Sequence, residues 1–170
     1  MNKNLLTIFV APLMVSSCAT IKNYVPPKSS TSSEITVSRE IKGPLLGTST
    51  YIFTLAGPRE CHGGLNVKED MRLMTLDTTN PLIKQLNENG VSVISGIPLS
   101  LRIQSIAGSL DMCTIQADFT PEANRDYKIA LSGRISSYPH GCVAELWSKR
   151  RGEVEYEKDS FKNYDDCKPK

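Results

Sequence analysis

Five cysteines and two histidines are the residues in this chain best suited to chemistry, and four of them fall in two short pairings. Cys61-His62 precedes Gly63-Gly64, and His140-Gly141-Cys142 follows Tyr138-Pro139, so each histidine sits beside a cysteine in a glycine-containing loop. Two thiolates and two imidazoles brought together from such loops would suit tetrahedral zinc. The competing reading is that the thiols oxidise and the histidines are exposed loop residues. No His-Glu-x-x-His, Cys-x-x-Cys or phosphate-cradling glycine loop occurs. Gly47-Thr48-Ser49-Thr50-Tyr51 begins like a nucleophile elbow but lacks the closing glycine and a helical pattern after it. Ser49 is therefore read as a strand residue. A hydrolase needs a base held within reach of a nucleophile, and no motif supplies a partner to His62 or His140. The expectation is a non-enzyme without metal or cofactor, and the alternative is a zinc set of Cys61, His62, His140 and Cys142.

Which thiol reading applies depends on the compartment, and the first residues bear on it. Lys3 is followed by an apolar run from Leu5 to Val15 and then Ser16-Ser17-Cys18. The run is too short to span a bilayer, which takes about 20 apolar residues, and Pro12 disfavours a core helix. The charged start, apolar stretch and Val15-Ser16-Ser17-Cys18 box resemble the signal peptide and lipobox of bacterial lipoproteins. The resemblance implies cleavage before Cys18, a lipid on its thiol and attachment to a membrane surface. Ala19 is not the aspartate that marks inner-membrane retention in such proteins, so the outer membrane, facing the periplasm, is implied if the organism has two membranes.

An exported chain favours oxidised cysteines. With Cys18 given to lipid, Cys61, Cys113, Cys142 and Cys167 remain, enough for two disulfides in three possible connectivities. Cys113 with Cys142 is slightly favoured because both lie in strand-like segments near one another in sequence; the other pairings stay open.

Removing residues 1–17 leaves 153 of 170 residues, the size of one domain. Lys3 is the only charge lost, so 18 acidic residues nearly balance the remaining basic ones. That balance gives no electrostatic footprint for nucleic acid and no broad basic face for anionic lipid. Residues 18–34, with Pro26-Pro27 and Lys28-Ser29-Ser30-Thr31-Ser32-Ser33, read as a tether. Such a coil of about 15 residues spans roughly 20 Å, or about 45 Å when stretched.

Residues 35–170 read as one β domain. Ile35, Val37 and Ile41 alternate with polar residues, as do Tyr51, Phe53 and Leu55, Leu99 to Gln104, Cys113 to Phe119, and Tyr127 to Leu131. Leu65 to Leu76, Val91 to Ile94 and Cys142 to Trp147 complete the main runs, and Thr120 to Asp126 reads as the turn of a hairpin. Val154 and Tyr156, set among Glu153, Glu155 and Glu157, suggest a last strand at a sheet edge. Asn80 as cap, Pro81 at the first position, an apolar stripe of Leu82, Ile83 and Leu86, and Gly90 at the exit predict a short helix. The expected fold is mainly β: an antiparallel two-layer sandwich with one short helix, a small barrel being the runner-up. The tail from Ser160 onward is polar, clipped to the body by Cys167.

Cys113, Phe119-Thr120-Pro121, Tyr127 and Cys142 also resemble a pattern in small uncharacterised bacterial lipoproteins, which implies an immunoglobulin-like or transthyretin-like sandwich and no particular activity. Ser132-Gly133-Arg134-Ile135-Ser136-Ser137-Tyr138 resembles the Ser-Gly to Tyr loop of lipoprotein lysozyme inhibitors. Tyr138 and Trp147 are candidates for partner contact, although a lone tryptophan on an alternating strand more often packs inward. Lys149-Arg150-Arg151 reads as a solvated turn. Together these readings favour a membrane-anchored, non-catalytic binding or accessory module for another envelope protein; the alternative is an inhibitor of a wall-degrading enzyme such as lysozyme, with an enzyme third.

Overall fold

The computed structural model describes residues 20–26, 28, 31–43, 48–57, 64–77, 83–107, 111–135 and 141–167. Among these residues there are eleven strands and no helix: β1 Lys22–Asn23, β2 Ser32–Lys42, β3 Thr48–Leu55, β4 Met71–Asp77, β5 Val91–Ile94, β6 Leu99–Ala107, β7 Asp111–Phe119, β8 Arg125–Arg134, β9 Gly141–Arg150, β10 Glu157–Asp159 and β11 Asn163–Asp166. They form two sheets in the orders β1-β4-β3-β6-β7-β11 and β10-β9-β8-β2-β5. The two sheets pack as a sandwich and do not close into a barrel. Two pairings depart from the antiparallel expectation. β2 runs parallel to β8 over Glu34–Lys42, and β1 runs parallel to β4.

The period-two runs of the longer strands bury one side between the sheets. Ile52, Leu101, Ile103, Ile115 and Ala117 of the first sheet meet Ile35, Ile129, Leu131, Ala144 and Leu146 of the second in one core. Each fully buried Ile or Leu contributes about 1.5–3 kcal/mol. Polar contacts from Arg39 bridge the two sheets, and a hydroxyl pair lies within the first. Arg39 of β2 donates from Nε to Thr50 Oγ1 at 2.7 Å and from its guanidinium to the Thr48 carbonyl at 2.7 Å, while Thr50 and Ser105 hydroxyls lie 2.7 Å apart.

The segment from Phe119 to Tyr127 is not a hairpin turn but a corner between layers, because β7 belongs to the first sheet and β8 to the second. Its chemistry explains the turn. The Phe119 and Tyr127 rings meet at 5.1 Å, and the buried Tyr127 hydroxyl accepts the Glu122 N–H at 2.9 Å, the arrangement of a tyrosine corner. A hairpin and a corner share turn residues and alternation, so the sequence pattern alone does not separate them. Burial pushes the Tyr127 phenol above its ordinary pKa, against the lowering effect of the Glu122 hydrogen bond.

Three further expectations change. The chain enters the fold before residue 35: Lys22–Asn23 pair with Met71–Arg72, Tyr24 N–H donates to the Arg72 carbonyl at 2.8 Å, and Ser33 is fully buried in β2. Hydrogen bonds, not apolarity, hold Ser33 there, at 2.8 Å to Ser95 Oγ and 2.7 Å to the Glu122 carbonyl, which is why a serine-rich stretch reads as tether. The expected helix does not form between Ile83 and Gly90; Asn80 to Leu82 lie outside the described residues. Leu86 instead exchanges both backbone hydrogen bonds with Thr75 at 3.0 and 3.1 Å, and Asn87 takes a φ of 54° while its side chain donates to the Leu73 carbonyl at 2.7 Å. Pairing with β4 satisfies these backbone groups better than two isolated helical turns would. Last, Val154 is 88% exposed in a turn, where the Arg150 carbonyl accepts the Glu153 N–H at 3.0 Å; the edge strand falls at Glu157–Asp159 instead.

Candidate functional site

The features that could meet another molecule gather around β9. Its alternation is regular: Cys142, Ala144, Leu146 and Ser148 are buried, while Val143, Glu145, Trp147 and Lys149 face outward. Trp147 is thus half-buried on the outer face and not in the core, contrary to the inward expectation. Register places it between Lys128 of β8 and Lys158 of β10. The reason it faces out is on its own strand: Cys142 must face the other sheet to reach its disulfide partner, and period two then turns residue 147 outward.

Lys158 links the outward side chains. Its Nζ lies 2.8 Å from Glu145 Oε1 and 6.0 Å from the centre of the Trp147 ring. The hydrogen bond and charge of Lys158 hold the Glu145 carboxyl below its ordinary range. Beside it the Lys149 ammonium sits 4.8 Å from the Tyr156 ring centre. Arg151 is exposed in its turn, as expected, yet it has partners: it donates to the Ser32 carbonyl at 2.8 Å and approaches the Asp126 carboxylate at 3.3 Å, clipping β2 to the β8–β9 end.

One side of β9 is incompletely paired. β8 covers it from Gly141 to Arg150, but β10 pairs only with Leu146, Trp147 and Ser148. At Ser160 the chain turns away and crosses to β11 in the other sheet, leaving Gly141–Glu145 with no strand on that side among the described residues. A groove of about 330 Å³ lies along this gap. Val143, Leu146, Phe161 and Tyr164 give it apolar walls; Glu145 and Lys158 stand at its rim. Val143 is 51% exposed, and Tyr164 reaches from β11 to accept the Ala144 N–H on its hydroxyl at 3.1 Å. Phe161 stacks on Tyr164 at 5.9 Å and meets Phe119 edge-on at 6.1 Å, anchoring the groove wall to the core.

Of the residues singled out by sequence, the structure joins Cys113 and Cys142 in a disulfide between β7 and β9, with Cα atoms 6.0 Å apart. That bond staples the two sheets. Cys167 is buried and also disulfide-bonded. Because Cys142 is committed to Cys113, it cannot serve as a zinc thiolate, and the four-ligand set falls with it. Cys18, Cys61, His62, Tyr138 and His140 lie outside the described residues. Ser132 to Arg134 of the inhibitor-like segment belong to β8, and Ile135 is buried with its N–H on the Lys42 carbonyl at 3.0 Å; Ser136 to Tyr138 are outside the described residues.

Sequence reading missed Val143, Phe161 and Tyr164. The latter two sit three apart in a polar tail, a spacing that fits no strand period; only the crossing from β10 to β11 brings both to one wall. Comparisons with protein-family models, with curated proteins and with solved structures find no match for this chain.

Proposed function

We propose that the chain is a lipid-anchored, non-catalytic binding module of the bacterial cell envelope, and that it meets its partner on the outer side of β9. The observation that carries this reading is the apolar groove beside half-buried Trp147 and exposed Val143, at the one flank of β9 that no strand covers over Gly141–Glu145 among the described residues. Tryptophan and tyrosine favour interface centres because they bury large area at little entropic cost. The address rests on Lys3, the apolar run Leu5 to Val15 and Cys18, with the outer membrane favoured in a two-membrane organism.

Two measurements test the reading. Replacing Cys18 with Ser should move the protein from the membrane to the soluble fraction; retention in membranes contradicts lipid anchoring. A photo-reactive residue at position 147, irradiated in intact cells, should give a discrete adduct that a chain destabilised in its core does not give. An adduct pattern that matches total protein abundance contradicts specific binding. Inhibition of a wall-degrading enzyme is the second reading, carried by the resemblance over Ser132 to Tyr138, and a lysozyme assay with micromolar protein decides it.

A further inference from the structure

The flank of β9 that has no partner strand over Gly141–Glu145 among the described residues carries more specific chemistry than a generic apolar patch. In an antiparallel pair, the N–H and C=O of alternate residues point to the same side. Ala144 N–H points away from β8, since it donates to Tyr164, and Leu146 pairs with Asp159 of β10 on that side. The alternation therefore places the amide and carbonyl groups of Cys142 and Ala144 on the open flank as well. They continue the line along which β10 already pairs.

We infer that this flank accepts an extended segment of a partner protein, which adds a strand beside Gly141–Glu145 where β10 leaves off and displaces the Tyr164 hydroxyl from Ala144. This deepens the binding-module reading and rests on it. The occupant follows from what the groove offers. Backbone donors and acceptors in strand spacing are matched by another extended backbone, and Val143, Leu146, Phe161 and Tyr164 offer apolar contact to alternate side chains of such a strand. A sugar would leave the apolar walls unused, and an acyl chain would leave the amide and carbonyl groups unpaired at a cost. Tyr164 is built as a removable cap: its ring is held by Phe161, but its hydroxyl satisfies Ala144 through one side-chain bond rather than a ladder. Unpaired edges invite aggregation, and among the described residues the Tyr164 hydroxyl caps this one at Ala144.

The test uses the full chain in its own cells, with a photo-reactive residue at Val143 or, separately, at Trp147. Both sites face outward, and formation of the Cys113–Cys142 bond, read on a non-reducing gel, confirms folding. The inference expects Val143 adducts that map to one contiguous stretch of another protein. Adding Tyr164→Phe should raise their yield roughly fivefold, because the competing hydrogen bond is gone. Adducts from Trp147 alone overturn strand addition while leaving the binding reading intact. Adducts from neither position overturn both. Val143 adducts only to a second copy of this chain show self-association and overturn the partner-segment inference. Yield at Val143 unchanged by Tyr164→Phe overturns the capping role.

Discussion

The two sides of β9 are built to different standards. Toward β8 it is paired over ten residues, and toward β10 over three. On the paired side Gly133 meets Cys142 with a φ of 146°, and a Cβ there would collide with the Gly141 carbonyl oxygen and the Cys142 backbone. Glycine alone lets β8 approach this closely beside the inter-sheet disulfide. On the other side, among the described residues, the strand borders a groove over Gly141–Glu145 and the Tyr164 hydroxyl stands in for a neighbour at Ala144. Stability is concentrated where β9 faces β8 and the core, and the opposite flank is left available for contact at little cost to the fold.

That contrast can be broken first at the disulfide. Replacing both Cys113 and Cys142 with Ala should cost about 3 kcal/mol, since the bond closes a loop of 29 residues, and urea unfolding measures it. Gly133→Ala should cost at least about 2 kcal/mol through collision and backbone strain together, read as a lower denaturation midpoint with an unchanged slope. Tyr127→Phe should cost about 1–2 kcal/mol by leaving the Glu122 amide without its acceptor.

Tyr127 also carries a pH signature. Its phenol holds its proton more tightly in the native state than in the unfolded one, where the ordinary value is 10.0. Its contribution is therefore constant below about pH 10 and is lost as pH rises through the raised native value. Alkaline unfolding followed by circular dichroism should show a shallower loss in the Tyr127→Phe chain than in the parent.

The open flank should respond in the opposite manner. Tyr164→Phe should change stability by less than about 1 kcal/mol yet speed hydrogen exchange at the Ala144 amide more than at Leu146, which β10 protects. Smallest of all, Lys158→Ala should leave the denaturation midpoint almost unchanged, because its pair with Glu145 is solvent-exposed. The Glu145 carboxyl should then titrate closer to its ordinary range, which nuclear magnetic resonance can follow.

The sequence made the sandwich legible for a simple reason: alternation at Ile35, Ile103, Ile115, Ile129 and Leu146 is the same physics that buries them. It also favoured the Cys113–Cys142 pairing over its alternatives. What it hid depended on hydrogen bonds and on layer crossing. Ser33 is held by a hydroxyl and a backbone carbonyl that lie 62 and 89 residues away, Leu86 joins β4 by backbone bonds that no side-chain pattern reports, and the Phe119 to Tyr127 segment turns between sheets with the residues a hairpin would use. The candidate site was legible only at Trp147. Val143 looks like any strand valine until β10 stops short of it, and Tyr164 gains its role from a crossing set by the fold as a whole.

The most direct measurement sets two exposed valines against each other in intact cells. Val143 lies on the open flank of β9, and Val154, more exposed at 88%, lies in the turn between β9 and β10. Photo-reactive residues at each position, in otherwise identical chains, should yield a discrete partner adduct at 143 and none above background at 154. Equal capture at both would show that exposure alone governs contact, and would contradict a binding role for the unpaired side of β9.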